Sequence, residues 1–364
     1  MTGGIYWIKE CEKTALHIIQ YGGLFFMKRY IIEQRLKSVA AFLVIIILLP
    51  YIVSVFVNGA DVTAGDSGSS FYVKVKVPDT QEADGVVEIG WTEYLAGVLA
   101  KEMSADYEEE AMKAQAVIIR TQIYRELESS EDKVLTMEYL SREEIQKQWK
   151  TEDAGENYEK YIRAVEQTDD TVLMYGEGYA WTPFHQSSCG LTRSASEVMG
   201  TEEYPYVAVR ECAADKEAEN EVQVFTFSYS EIQELCRDFL VAAADGEKAE
   251  QGYSFADFEI KAYDSAGYVS QLRIGDTLCT GDQFRDALSL PSSAFSFSEP
   301  AEEDQGKEEG SVIKITTTGN GHGMGMSLWT AGVMAEEGKT CEEILSFFFE
   351  GTEIRKDIQE TELY

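Results

Sequence analysis

The chain has 364 residues, 44% hydrophobic and 12% aromatic, enough apolar material for one large core or two modest ones. Its 65 acidic against 31 basic residues give a formal net charge of -34. A surface of that sign repels phosphate backbones and excludes nucleic acid as a partner.

Residues 1–26 precede Met27-Lys-Arg-Tyr30, an ordinary start, so they read as an over-long gene start whose Cys11 and His17 carry no weight. Residues 38–57 contain no charged side chain and, as a helix, are long enough to cross a hydrocarbon layer of about 30 Å. Pro50 is tolerated in such a helix. Lys28, Arg29, Arg35 and Lys37 precede the span, and Asp61 and Asp66 follow it. This asymmetry places residues 1–37 in the cytoplasm and everything after the span outside it. A cleaved signal peptide is the competing reading; the apolar run is longer than a usual h-region and the small-residue cleavage pattern is weak. Residues 58–70, rich in Gly, Ser and Asp, read as a linker.

The remainder, residues 71–355 with a tail at 356–364, reads as a single α+β domain on the far side of the membrane. Alternation predicts a strand at 71–77, and two helices follow at 92–103 and 108–127. Further helix is expected at 142–149 continuing toward 158–166, then extended chain at 172–175 and 180–185. Strands are expected at 222–229, 255–263 and 269–274, with an amphipathic helix at 231–240. The chain returns to helix at 327–336 and 341–348. The acidic tracts 242–251 and 299–309 read as solvated insertions.

One position stands against its surroundings. Leu95, Val98 and Leu99 recur at helical spacing, and Glu102 lies three and four residues beyond the last two, which puts a carboxyl group on the apolar stripe. Desolvation favours its protonated form, as a general acid requires; the alternative is a solvated glutamate at a helix end. Gln115 is similarly odd, falling on the side of Ala111, Met112 and Ile119. Of three histidines, the two beyond the span are His185 and His322. His322 sits among Gly319, Gly321, Gly323 and Gly325, which permit tight turns and close approach of a ligand. Five cysteines lie beyond the span (Cys189, Cys212, Cys236, Cys279 and Cys341), an odd number that cannot pair completely within the chain. His185, Cys189 and Cys212 are candidate zinc ligands, against free or disulfide-bonded cysteine.

Three blocks resemble the stage II sporulation protein D family. The first is Glu102-Met103 with Ala111-Met-Lys-Ala-Gln-Ala-Val117 and Arg120-Thr121. The second is Phe184-His-Gln-Ser-Ser-Cys-Gly-Leu-Thr-Arg193 running to Tyr204-Pro-Tyr-Val207. The third is Gly321-His-Gly-Met-Gly-Met-Ser327 with Ala331-Gly332. The chain departs from the family at Leu328-Trp329-Thr330, where Gln-Tyr-Gly is usual, and at Cys189-Gly190-Leu191, where two glycines are common. The resemblance implies a lytic transglycosylase that cuts between N-acetylmuramic acid and N-acetylglucosamine in peptidoglycan and leaves a 1,6-anhydro end. It implies Glu102 as the catalytic acid, and Gln115, Arg120, His185, Ser188, Tyr206, His322, Gly323 and Ser327 as substrate-binding residues. It requires no cofactor, although some relatives hold structural zinc through His and Cys. The implied setting is cell-wall remodelling during sporulation and engulfment, with glycan strands, an amidase and other engulfment proteins as partners at the membrane. Two alternatives stand: a non-catalytic glycan-binding module that enhances an amidase, and a metal-dependent wall hydrolase using His185, Cys189, Cys212 and His322.

Overall fold

The computed structural model describes residues 72–77, 85–148, 154–219, 221–240, 252–299 and 312–356. The expected membrane span at 38–57 lies outside the described residues. Among those described, no helix is long and apolar enough to cross a membrane.

The chain enters through β1 (Tyr72–Lys76) and returns on β2 (Val86–Gly90) before α1 (Trp91–Glu102) and α2 (Glu109–Ser129). β3 (Val134–Leu135), α3 (Arg142–Gln148), α4 (Ala154–Gln167), β4 (Thr171–Tyr175), β5 (Gly178–Tyr179), β6 (Phe184–His185) and α5 (Ala195–Met199) complete the N-terminal part. Next come β7 (Val222–Ser228), α6 (Tyr229–Leu235), β8 (Phe258–Tyr263), β9 (Val269–Ile274), β10 (Thr277–Cys279), α7 (Gly281–Leu288), β11 (Phe295–Ser298) and β12 (Val312–Thr318). The chain then returns to the first part with β13 (Met326–Ser327), α8 (Leu328–Glu336), α9 (Cys341–Phe348) and β14 (Glu353–Lys356).

Among the described residues this mixed α and β architecture has two large hydrophobic cores and a small cluster at Ala266, Tyr268 and Ala294. The first is organised by α2, which packs against α1, α4, α8, α9 and β4. Its sequence runs Ala, Met, Val and Ile around nearly the whole circumference, so it has no face to give to water and becomes the central helix. Glu109 and Glu110 in its first turn favour the positive end of the helix dipole. In the second core, the antiparallel sheets β11-β12-β7 and β10-β9-β8, with α6 and α7, enclose Phe258, Leu272, Phe284, Phe295, Ile313 and Ile315.

The expected strand at 71–77, both opening helices and the two C-terminal helices coincide closely with observed elements. The helix expected at 231–240 starts earlier, at Tyr229, where Ser228 and Glu231 form a capping box, and it ends at Leu235. Residues 255–257 of an expected strand form a 3-10 turn. β2, β3, β5, α5, β10, α7, β11, β12 and β14 are additional. The alternation of β12, with Ile313, Ile315 and Thr317 facing inward, carries its own period-two signal immediately after the acidic tract.

Candidate active site

Glu102 is the last residue of α1, whose Tyr94, Leu95, Val98 and Leu99 are buried in the first core. Its position on that stripe leaves the carboxyl half-buried. Burial raises its pKa above the usual carboxylate range, neighbouring Lys101 opposes the shift, and Glu138 adds to it. Glu102 lines a cleft of about 810 Å³.

One wall of this cleft is the C-terminal half of α2. Gln122, Arg125, Glu126 and Ser129 recur at helical spacing and all line it. An aromatic wall is formed by Trp181, Phe184 and Tyr204. Trp181 and Tyr204 lie 4.8 Å apart between ring centroids. Arg125 spreads over the Tyr204 ring at 5.4 Å and donates to its hydroxyl at 3.0 Å. Flat aromatic faces beside hydrogen-bonding groups suit a sugar ring, which has apolar faces and a polar rim.

His322 lines the same cleft as Glu102. The second and third sequence blocks reach it together because β6 and β13 pair in parallel, with Phe184 opposite Met326 and His185 opposite Ser327. Gln186 closes the assembly by donating to the Glu102 main-chain carbonyl at 3.0 Å. The crossing of the two blocks leaves no room at Gly325: a Cβ there would stand 1.8 Å from the Pro183 carbonyl oxygen, and φ is +73°. Gly325→Ala is therefore expected to cost at least about 2 kcal/mol from the left-handed backbone and the clash, read as a lowered urea midpoint.

The two imidazoles, 5.8 Å apart between ring centroids, are ordered by the main chain of Met324. Nδ1 of His185 donates to the Met324 carbonyl at 3.1 Å, and the Met324 N–H donates to Nδ1 of His322 at 3.0 Å. On this network the proton of neutral His185 is assigned to Nδ1 and that of neutral His322 to Nε2. Burial pushes both down to about 4, and for His322 the neighbouring His185, Arg285 and Arg193 act in the same direction. Both rings are neutral at physiological pH.

The other residues of the expected binding set lie behind the cleft wall. Gln115 is fully buried two helical turns before Gln122. Arg120 is fully buried and donates to the carbonyls of Val165, Thr168 and Thr171 at 2.9, 2.7 and 3.1 Å, tying the end of α4 to β4. Ser188 and Ser327 converge on Asp215, a buried residue of the 3-10 turn Ala213–Glu217. That carboxylate accepts from the Ser188 N–H and hydroxyl, each at 2.6 Å, from Ser327 at 2.7 Å and from Thr330 at 2.6 Å. Tyr206 is buried, its hydroxyl accepting from the Trp181 N–H at 2.7 Å, so it braces the aromatic wall from behind. Gly323 is pressed against Tyr268 and Arg193. Glu102 and His322 thus line the cleft, His185 stands behind His322, and the rest form the frame.

His185, Cys189 and Cys212 do not converge as zinc ligands. The Cys189 thiol donates to the Ala266 carbonyl at 3.3 Å, Cys212 is fully buried in the first core, and His185 is turned to Met324. Among the described residues, no three His, Cys, Asp or Glu side chains gather as a ligand set. All five described cysteines carry free thiols.

Gln122, Arg125, Trp181 and Asp215 lie outside the residues singled out from the sequence, and Gln186 and Tyr204 stand in the second block without an expected role of their own. The first two carry no signal that separates them from Gln115 and Arg120, polar residues of the same helix that are sealed inside. Asp215, a single acid in a stretch with no recognisable pattern, carries none. A raised pKa alone does not identify the acid either: burial pushes Glu221 up to about 7, yet it accepts from Ser187 and does not line the cleft.

The family profile described as Stage II sporulation protein matches residues 79–175. The chain is 31% identical to stage II sporulation protein D of Bacillus subtilis over 296 residues, covering 77% of this chain and 79% of that protein. It is 30% identical to stage II sporulation protein D of Bacillus amyloliquefaciens over 292 residues, covering 77% and 78%. An uncharacterized protein of Brachyspira hyodysenteriae is 29% identical over 283 residues, covering 74% and 67%.

Proposed function

Because the chain belongs to the stage II sporulation protein D family, we propose that it is a lytic transglycosylase of peptidoglycan, anchored in the cell membrane by residues 38–57, with its cleft outside the cytoplasm. The observation that carries the reading is Glu102, a half-buried carboxyl with a raised pKa, set in one cleft with an aromatic wall and a neutral histidine. Protonated Glu102 gives its proton to the glycosidic oxygen between N-acetylmuramic acid and N-acetylglucosamine. The C6 hydroxyl of the muramic residue then attacks its own anomeric carbon, and the Glu102 carboxylate takes the hydroxyl proton. One bond breaks, one forms, and no water or cofactor is consumed. Trp181 and Tyr204 offer stacking faces, while Arg125, Gln122 and His322 offer donors to sugar oxygens. The partners of this activity are glycan strands, an amidase that strips their peptides, and other engulfment proteins.

Glu126 favours a second reading. It is another carboxylate on the cleft wall, and ordinary glycosidases use two. One of its oxygens already accepts from the Thr136 N–H and hydroxyl at 3.2 and 2.8 Å, which favours a positioning role over activation of water. Mass spectrometry of products from purified glycan strands incubated with the full-length chain separates the two: anhydro ends support the transglycosylase, and reducing ends overturn it. For the aromatic wall, Trp181→Ala is expected to raise KM about 10-fold, the worth of one lost stacking face, with kcat changed much less, in steady-state assays on soluble glycan oligomers.

A further inference from the structure

The sheets around the second core place no residue on the cleft wall. Their reach to the histidine loop runs in part through the Pro291 carbonyl, which accepts from the Gly321 N–H at 2.8 Å, and in greater part through Arg193. This side chain is 3% exposed, and two acids direct it: Nε donates to Asp264 just after β8 at 2.7 Å, and Nη1 to Asp282 in α7 at 2.9 Å. Tyr268 stacks beneath the guanidinium at 4.8 Å. Held this way, Arg193 grips the main chain of the histidine loop. Nη1 donates to the His322 carbonyl at 3.2 Å and the Arg193 N–H to the Gly323 carbonyl at 2.7 Å. The approach is so close that a Cβ at position 323 would stand 2.9 Å from Arg193 Cδ.

A guanidinium is the group for this task, because its planar fork serves two carboxylates and a carbonyl at once, whereas an ammonium is a point charge on a flexible stem. The geometry points to Arg193 as the positioning residue of His322: it fixes residues 322 and 323 so that the Met324 N–H meets Nδ1 of His322. The imidazole proton then stays on Nε2, the nitrogen that the main chain leaves to a ligand. The sheet lobe is thereby the backing of the active site. The effect on turnover rests on the transglycosylase reading; the effect on the imidazole does not.

Arg193→Lys and Asp282→Asn test this in the full-length chain. Asp282 is one-third exposed, so its variant removes one arm of the clamp while disturbing the packing least. With only three histidines in the chain, long-range 15N spectra of histidine-labelled protein resolve each ring, and His322→Gln assigns the signal. Wild-type His322 is expected to show the Nε2–H pattern. In both variants it should move toward an average of the two tautomers, and kcat should fall about 10- to 100-fold, as misplaced catalytic groups do, while KM changes less than about 3-fold. A folded variant that keeps the wild-type His322 spectrum and its kcat overturns the assignment, since a purely structural clamp would alter only the melting temperature. Absence of turnover in the wild type would sink the transglycosylase reading and leave the spectra to decide on Arg193.

Discussion

Glu102→Gln is expected to abolish release of anhydro-muropeptides, with a loss of about 10²–10⁴-fold or more, while binding of glycan strands is retained. Glutamine keeps the shape and the hydrogen-bonding rim of the side chain but cannot hand over and recover a proton. The pH dependence has a definite sign. The acid must be protonated to start the reaction, so kcat/KM should fall with rising pH through the pKa of Glu102, which burial raises above its ordinary 4.5. The same shift bears on stability. The folded chain holds this proton more tightly than the unfolded chain, so the contribution is fully present below the unfolded pKa and is lost as pH rises through the folded one. Above that window the buried charge burdens the fold, and Glu102→Gln should unfold at a urea concentration equal to or above that of the wild type. Parallel measurement of product release, glycan co-sedimentation and urea midpoint checks all three. A variant that still releases anhydro ends at wild-type rate removes Glu102 from the mechanism.

Arg120→Met is expected to act in the opposite way, on the fold and not on the chemistry. The Arg120 guanidinium is fully buried and bonded to the carbonyls of Val165, Thr168 and Thr171, the first two at the C-terminal end of α4. A cation there adds a charged donor to carbonyls at the helix end, where the Thr171 N–H already reaches Thr168 and the Thr168 hydroxyl reaches Val165, and it meets the negative end of the helix dipole. Methionine fills similar volume but takes the charged donor away from all three carbonyls, at roughly 1.5–3 kcal/mol for each hydrogen bond to a charged group. A total loss of about 3–5 kcal/mol follows, a large share of the stability of an ordinary domain. Chemical denaturation measures the loss. The kcat of the fraction that remains folded should stay within about 3-fold of wild type, since Arg120 is not among the residues that line the cleft. A large fall in kcat with an unchanged urea midpoint would restore Arg120 to the substrate.

The contrast between Glu102 and Arg120 shows which parts of this molecule local pattern could reveal. Apolar residues at 95, 98 and 99 define a stripe on α1, and an acid on that stripe stands out because every neighbour argues against it. Helix α2 offers no such contrast. It is buried on nearly all sides, so periodicity cannot tell its open edge from its closed one, and Gln115, Arg120, Gln122 and Arg125 look alike in the sequence. Only the packing of the aromatic segment at 181–204 across the end of α2 decides that Gln122 and Arg125 meet the cleft while Gln115 and Arg120 are sealed inside. Ser188 and Ser327 lie in motif blocks, yet their hydroxyls are taken by Asp215, which arrives from a stretch without any motif. The first strand, the opening and closing helices, the acid at position 102 and the three blocks were thus set by local spacing, because helix and strand periods are properties of neighbouring residues. Which polar groups face a ligand was settled by contacts between segments more than a hundred residues apart, such as Ser188 with Ser327 through Asp215 and Arg193 with His322, and no local period encodes those.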